Sequence, residues 1–184
     1  ASRDMACSVY GAQYLLEALF EAGLDEQALT LLTRSDTRGW LNMMRSGSTI
    51  ALEAWDIKLK PNLDWNHAWG AAPANILPRY VLGVRPLAPG FGKVLIRPQA
   101  GSLGKVTGVV PTIRGAVKVT VLQTPGASYS LSFDVPANVT ARAEIPVPPA
   151  GARLSVDGQR AKPVAEGGRL VLDGLASGSH TVAW

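Results

Sequence analysis

The stretch from Ala116 to Val121 reads Ala-Val-Lys-Val-Thr-Val, with valine at positions 117, 119 and 121 and polar residues between them. This alternation places the three valines on one face of an extended chain. Valine is also common in strands, because its branched side chain packs well on a pleated surface. The stretch therefore predicts a β-strand with one buried face and one face toward water.

Further short strands, separated by turn residues, are predicted around this stretch. They span residues 93–97, 104–110, 112–123, 128–135, 140–145, 153–156, 169–172 and 180–184. The pairs Asp157-Gly158 and Gly167-Gly168 predict tight hairpin turns. Many short strands at this spacing are typical of an antiparallel β-sandwich.

The residues before this region predict helices instead. From Met5 to Phe20, apolar side chains recur at three- and four-residue spacing, which marks one apolar helix face. A second helix is predicted from Asp25 to about Arg34, and Gly23 provides the stop between them. Such a short connection predicts an antiparallel pair of helices.

A third helical stretch is predicted from about residue 67 to residue 82. It contains Pro73 and Pro78, which predict a kink or a break because an interior proline removes a backbone donor. We therefore expect a two-part α+β chain. Its domains are a helical segment at 1–85 and an antiparallel β-sandwich at 86–184.

Composition excludes several classes of protein. The chain has 184 residues and a net charge of +4, but the basic residues are scattered singly, so we expect no nucleic-acid partner. No apolar run approaches the roughly 18 residues of a membrane span, so we expect no membrane segment. The single Cys7 excludes an internal disulfide and a cysteine zinc site, and we expect no metal and no cofactor.

The start Ala1-Ser2-Arg3-Asp4 lacks Met, so we expect a processed, cut or excerpted chain. The cellular compartment of the protein stays open.

Aromatic and titratable residues converge between residues 38 and 70. This interval contains Trp40, Trp55, Trp65, Trp69, His67, Glu53, Asp56, Asp64, Asn62 and Asn66. Tryptophan offers a flat apolar face and one N–H donor, which suits a sugar ring beside carboxylates. The alternative interpretation is that the tryptophans pack in the core and the acids cap helices.

Several motifs in order resemble one known family. Residues 47–55 read Gly-Ser-Thr-Ile-Ala-Leu-Glu-Ala-Trp, Asn66-His67 follows with Gly70 three residues later, and residues 80–90 carry Leu-Gly-Val-Arg-Pro and Pro-Gly. This set resembles the C-terminal part of bacterial α-L-rhamnosidases, glycoside hydrolase family 78, over roughly residues 1–120. The resemblance implies that the helices are part of an (α/α)₆ barrel and that a β-sandwich follows it.

The resemblance also implies roles for the residues of the motifs. Glu53 is the candidate general base, His67 a contact to a sugar hydroxyl, and Trp55, Trp65 and Trp69 further substrate-binding residues. From its place near His67 rather than from the resemblance, Asp64 is expected to orient the His67 ring and is included among the substrate-binding residues. In the family the general acid lies upstream of these motifs, in a segment that this chain does not contain. We therefore expect inverting hydrolysis of terminal rhamnosides by a full-length enzyme, and weak or no activity from this chain alone, since inversion needs two carboxyl groups.

Two other function classes stay open. One is a non-catalytic carbohydrate-binding or assembly module, in which the same aromatic residues bind sugar without cleavage. The other is a small esterase-type hydrolase using Ser48, His67 and Asp64, although no Gly-x-Ser-x-Gly motif is present.

Helices of a partial barrel would expose apolar faces, with Leu15, Leu19, Leu31 and Ile76 as candidates, so we expect a homodimer or another association.

Overall fold

Helices occupy the first part of the chain in a computed structural model that describes residues 5–184. The prediction about the first four residues lies outside that range. The helices are α1 (Val9–Glu21), α2 (Asp25–Leu32), α3 (Trp40–Arg45) and α4 (Ala72–Ile76). A 3₁₀ turn at Ala68–Gly70 precedes α4, and a π-helical turn at Leu77–Val81 follows it.

Helix α1 begins where a capping side chain is available. The Ser8 hydroxyl accepts a 3.2 Å hydrogen bond from the backbone N–H of Gly11, which satisfies one free donor of the first turn. The buried face consists of Val9, Ala12, Leu16 and Phe20. Gly23 has a φ of +72° between α1 and α2, as its predicted role as a stop requires.

The stretch after residue 67 is interrupted, as its prolines predict. It forms the 3₁₀ turn, α4 with Pro73 in its first turn, and the π-helical turn that contains Pro78. Helix α3 was not predicted, because its apolar residues are embedded in a polar, glycine-containing segment. Between α3 and Ala68 the chain consists of turns and irregular structure.

Eleven strands among the described residues form two sheets. They are β1 (Val84–Pro86), β2 (Lys93–Ile96), β3 (Lys105–Thr112), β4 (Gly115–Thr124), β5 (Ser128–Val135), β6 (Thr140–Pro146), β7 (Ser155–Val156), β8 (Gln159–Arg160), β9 (Val164–Glu166), β10 (Arg169–Leu175) and β11 (Gly178–Ala183). One sheet has the order β1-β2-β6-β10-β9 and the other β3-β4-β5-β11-β7-β8.

The predicted α+β class with an antiparallel sandwich is confirmed, with one added feature. Strands β2 and β6 pair in parallel, with Lys93 opposite Thr140, whereas the other pairings of the described strands are antiparallel. Val117, Val119 and Val121 of β4 are at most 1% exposed and belong to the core of the sandwich.

Both predicted hairpin turns are present. Asp157-Gly158 joins β7 to β8, with φ values of 51° and 77°. Gly167-Gly168 joins β9 to β10, with φ values of 55° and 75°. Two successive positive φ values characterise the hairpin turn whose twist matches that of the strands.

The chain folds as two units, Ala1–Leu77 and Pro78–Trp184. In the described part of the chain, no helix is long and apolar enough to cross a membrane. The apolar residues expected on an exposed helical face are buried to different degrees. Ile76 is fully buried, and Leu15, Leu19 and Leu31 are half-buried, because the helices pack on one another.

Candidate functional site

Two short segments that run side by side build the candidate site. The backbone N–H of Glu53 donates to the carbonyl of Asp64 at 3.0 Å, and the backbone N–H of His67 donates to the carbonyl of Ala51 at 2.9 Å. Neither segment belongs to a regular strand or helix. These hydrogen bonds bring Glu53, Asp64 and His67 together although the sequence separates them by up to 14 positions.

The carboxylate of Glu53 is fixed by two donors. Its Oε1 forms an ion pair with the Lys60 ammonium, and its Oε2 accepts a 3.0 Å hydrogen bond from the backbone N–H of Asp64. The hydrogen bond from Lys60, followed by that from Asp64, lowers the pKa of Glu53 below its ordinary value. The side chain is 13% exposed, so an ionised carboxylate here still reaches water. Such a group is suited to accept a proton rather than to donate one.

His67 and Asp64 lie beside this carboxylate. The Nδ1 atom of His67 is 3.4 Å from the Oδ2 atom of Asp64, and the two side chains are 28% and 71% exposed. One potential ligand atom from each of Glu53, Asp64 and His67 lies within 4.8 Å of the other two. The structure thus brings together three residues that the sequence analysis selected.

The tryptophans of the interval separate into exposed and buried side chains. Trp69 is 44% exposed; its ring centroid lies 4.2 Å from that of His67, and its indole N–H donates to the Glu53 carbonyl at 3.2 Å. Trp65 is 46% exposed. Trp55 is only 3% exposed, and its indole N–H donates to the Cys7 carbonyl at 2.8 Å.

Trp55 therefore lies in the core beneath the site. Its ring meets that of Trp40 edge-on, with centroids 4.9 Å apart, and the Trp40 indole N–H donates to the Gly70 carbonyl at 2.7 Å. Both indole donors are satisfied by backbone carbonyls, as is usual for the indole N–H of buried Trp55 and half-buried Trp40. This position lets Trp55 support the segment that carries Glu53, with little ring surface left for a sugar.

A cleft of about 350 Å³ opens next to Glu53. Its lining residues are Ala6, Cys7, Ser8, Val9, Arg38, Glu53, Ala54, Trp55 and Leu59. Burial raises the pKa of the Cys7 thiol, which favours the thiol over the nucleophilic thiolate. The cleft therefore offers Glu53 as its carboxylate and Arg38 as its cation.

Asp56 follows Glu53 by three residues but is not on a shared helix face, because this segment is not helical. Its carboxylate accepts hydrogen bonds from the backbone N–H of Lys58 at 2.8 Å and from the Asn42 amide at 2.9 Å. These bonds, that of Lys58 first, lower the pKa of Asp56. Asp56 thus anchors this loop, whose backbone is irregular, to Asn42 of α3.

The cluster of Glu53, Asp64 and His67 has the donor types of a metal site, but its charges favour another use. Both Glu53 oxygens already accept from Lys60 and from the backbone of Asp64. A metal ion beside Glu53 would compete with the positive charge of the Lys60 ammonium for the same carboxylate. For the esterase alternative, the Ser48 hydroxyl donates to the Ile50 carbonyl at 2.6 Å, so its proton goes to backbone rather than to an imidazole.

Three residues next to the site were missed by the sequence analysis. Lys60 lies in a segment without periodicity, and no sequence signal pairs it with Glu53. Tyr10 and Tyr14 lie on α1, where their rings are 50% and 55% exposed, and the Tyr10 ring centroid is 5.4 Å from that of Trp69. The sequence contains a signal for the two tyrosines. They are four positions apart on a predicted helix and lie off its apolar face, so their side chains are neighbours.

Two family models match this chain. The model of the bacterial alpha-L-rhamnosidase 6 hairpin glycosidase domain matches residues 2–81, and the model of the bacterial alpha-L-rhamnosidase C-terminal domain matches residues 83–160. An alpha-L-rhamnosidase from Alteromonas sp. (strain LOR) is 29% identical over an alignment of 163 positions that covers 82% of this chain and 17% of that protein.

Solved structures of similar fold carry the same description. The alpha-L-rhamnosidase from Dictyoglumus thermophilum superposes with a TM-score of 0.84 at 21% identity, over 95% of this chain and 20% of that one. The Streptomyces avermitilis alpha-L-rhamnosidase complexed with L-rhamnose gives a TM-score of 0.79 at 26% identity, over 95% and 17%. The chain thus spans about a fifth or less of the length of these relatives.

Proposed function

Since this chain belongs to the bacterial α-L-rhamnosidase family and corresponds to the C-terminal part of its members, we propose that it is the C-terminal portion of a glycoside hydrolase that cleaves terminal α-L-rhamnosides. Glu53 is the general base of that reaction. The observation that carries the proposal is the carboxylate of Glu53, held ionised by Lys60 and by the backbone of Asp64 while still reaching water.

The proposed reaction proceeds by inversion. Glu53 takes a proton from a water molecule, and the water oxygen forms a bond to the anomeric carbon of the rhamnose. The bond from that carbon to the leaving oxygen breaks on the opposite face of the sugar, and a separate carboxylic acid gives its proton to that oxygen. The products are rhamnose of inverted configuration and the free alcohol.

The described residues around Glu53 supply sugar contacts in this proposal. His67 offers ring nitrogens to a sugar hydroxyl, and Asp64, 3.4 Å away, orients the imidazole. Trp69 and Trp65 present exposed rings to the C–H faces of the sugar. Trp55 acts through the backbone that it supports, as a positioning residue.

Asp64, the carboxylate that lies beside Glu53 in the described part of the chain, is not the general acid in this proposal. The nearest pair of carboxylate oxygens of Glu53 and Asp64 lies within 4.8 Å, and an inverting pair needs about 6.5–9.5 Å to admit a water. Loss of general-acid assistance typically costs about 10²- to 10⁴-fold in rate. We therefore expect the isolated 184-residue chain to bind rhamnose but to hydrolyse rhamnosides weakly or not at all.

The experiment compares binding and turnover in the same preparations. The wild-type chain, Glu53→Gln and the control Glu26→Gln on α2 are assayed with an aryl α-L-rhamnoside and a short-chain aryl ester, and L-rhamnose is titrated by NMR. We expect rhamnose binding in all three proteins and any rhamnoside turnover to disappear only in Glu53→Gln. Rhamnoside turnover that survives Glu53→Gln contradicts the assignment of the base. Ester hydrolysis without rhamnoside hydrolysis favours an esterase instead.

A non-catalytic sugar-binding module is the second candidate, favoured by the exposed rings of Trp65 and Trp69. Glu53 separates the two candidates, because a binding module has no need of an ionised base.

Association with a second copy is also proposed, and light scattering at tens of micromolar tests it. A monodisperse mass of 19.4 kDa would contradict that association.

A further inference from the structure

Two exposed tyrosines lie together on the outer side of α1. Tyr10 and Tyr14 are one helical turn apart, away from the buried face that contains Val9 and Leu16. Their ring centroids are 5.6 Å apart at an interplanar angle of 68°, and their hydroxyl oxygens are 3.2 Å apart. The two side chains therefore hold each other in one arrangement while half of each stays open to solvent.

This tyrosine pair continues the candidate site rather than forming a separate surface. The Tyr10 ring centroid is 5.4 Å from that of Trp69, and the Trp69 ring is 4.2 Å from the imidazole of His67. Trp69 is in turn attached to the Glu53 carbonyl through its indole N–H. The result is an unbroken row of rings that leads from His67 through Trp69 and Tyr10 to Tyr14.

The chemistry of the row selects a neutral, hydroxyl-rich ligand. The ring faces offer flat apolar surface, and each tyrosine hydroxyl is both a donor and an acceptor. The rings meet at 57° and 68°, so their faces are inclined to one another, and one sugar ring can stack on a single face while its hydroxyls reach the tyrosine oxygens. The rings of Trp69, Tyr10 and Tyr14 are uncharged, so they favour a neutral ligand over a strongly charged one.

From this continuity we propose that Tyr10 and Tyr14 bind a second sugar unit, the one attached to the rhamnose that Glu53, His67 and Trp69 hold. The tyrosine pair is thus a specificity-determining extension that favours rhamnosyl saccharides over rhamnose itself. This inference rests on the proposed function, because it takes the rhamnose position from the Glu53 site.

The test measures two affinities in each protein. L-rhamnose and a disaccharide with a non-reducing α-L-rhamnose are titrated into the ¹⁵N-labelled 184-residue chain, and the indole N–H signal of Trp69, assigned with Trp69→Phe, is followed. The variants are Tyr10→Ala, Tyr14→Ala and the milder Tyr10→Phe and Tyr14→Phe. Met44→Ala, which truncates a side chain of 68% exposure on α3, is the matched control.

We expect the wild-type chain to bind the disaccharide several-fold more tightly than rhamnose. Each alanine variant should weaken disaccharide binding by roughly three- to tenfold and rhamnose binding by less than about twofold, as expected for loss of an aromatic contact. The phenylalanine variants keep the rings and should lose less. They also keep the inference testable if an alanine variant fails to fold.

The outcomes separate this inference from the proposed function. Equal affinities for both ligands, or equal losses in Tyr10→Ala and Met44→Ala, overturn the tyrosine extension and leave the Glu53 site intact. Binding of neither ligand overturns both proposals. Disaccharide binding that needs Tyr10 and Tyr14, in a chain whose measurable rhamnoside turnover survives Glu53→Gln, supports the extension while removing the catalytic assignment.

Discussion

Glu53 and Asp64 are joined by two hydrogen bonds of 3.0 Å that run in opposite directions. The Glu53 backbone N–H donates to the Asp64 carbonyl, and the Asp64 backbone N–H donates to the Glu53 carboxylate. The same residue therefore fixes both the main chain and the side chain of the candidate base. A carboxylate that accepts such donors favours its ionised form.

Lys60 should contribute more than any other side chain to this ionisation. Its hydrogen bond is the largest cause of the lowered pKa of Glu53, so Lys60→Met should raise that pKa toward its ordinary value of 4.5. The titration of the Glu53 side-chain carboxyl by ¹³C NMR measures the change. Because the folded-state pKa is lowered, the stabilisation by Glu53 is present above its ordinary pKa and is lost as the pH falls through the lowered value.

Lys58→Met is the matched control for Lys60→Met. Lys58 lies two residues away in the same loop, but it approaches Asp56 rather than Glu53. Its substitution should leave the titration of Glu53 nearly unchanged. An unaltered Glu53 pKa in Lys60→Met would contradict the ion pair as the cause.

Trp55 should be far more important for stability than Trp65, although both lie in the same short interval. Trp55→Phe leaves the Cys7 carbonyl without its indole donor and should cost about 1–3 kcal/mol of unfolding free energy. Trp65 is 46% exposed, so Trp65→Phe should change that free energy by less than about 0.5 kcal/mol. Urea unfolding followed by circular dichroism measures both, and equal costs would contradict this division.

The sequence did not predict the difference in burial between Trp55 and Trp65, because local patterns predict strands but not long-range contacts. Strand β5 was predicted at its observed bounds, Ser128–Val135, because alternation is a local property of the chain. The pairing of β2 with β6 joins residues almost fifty positions apart, and no local pattern encodes it. Burial of Trp55 likewise depends on a contact with Cys7, forty-eight positions away.

Part of the candidate site was predictable for a different reason. Glu53 and His67 were selected from the order of motifs, and the structure brings them together through backbone hydrogen bonds of an irregular segment. Lys60 was not selected, because the loop between residues 46 and 67 has no periodicity that places its side chains. The partners of a charged group in such a loop depend on tertiary structure alone.

Gly70 should tolerate no side chain. A Cβ atom at this position would overlap the carbonyl oxygen of Leu52 and lie 2.9 Å from the Cβ atom of Ala51. Gly70→Ala should therefore destabilise the fold by about 1–3 kcal/mol and displace the segment that carries Glu53. Urea unfolding measures the cost, with Gly92→Ala as control, since the nearest atom to a Cβ at Gly92 is 3.5 Å away.

The β-domain should contain a pH-dependent ion pair between His180 and Asp157. The Nδ1 atom of His180 is 2.9 Å from the Oδ2 atom of Asp157, and its Nε2 atom is 2.8 Å from the Ala176 carbonyl. Burial favours the neutral imidazole, but these two acceptors outweigh it and raise the pKa of His180. For Asp157 burial is likewise outweighed, by the Thr181 backbone N–H and by His180, and its pKa is lowered.

The stabilisation from this pair should therefore be confined to a window of pH. For His180 it is fully present below the ordinary pKa of 6.5 and is lost as the pH rises through the raised value. For Asp157 it is present above the ordinary 3.8 and is lost as the pH falls through the lowered value. Urea unfolding of wild type, His180→Gln, Asp157→Asn and the double variant gives the coupling free energy at each pH. We expect this coupling to be largest near pH 5 to 6 and to decline toward pH 9, whereas a coupling that stays constant from pH 5 to 9 would rule out a charged pair.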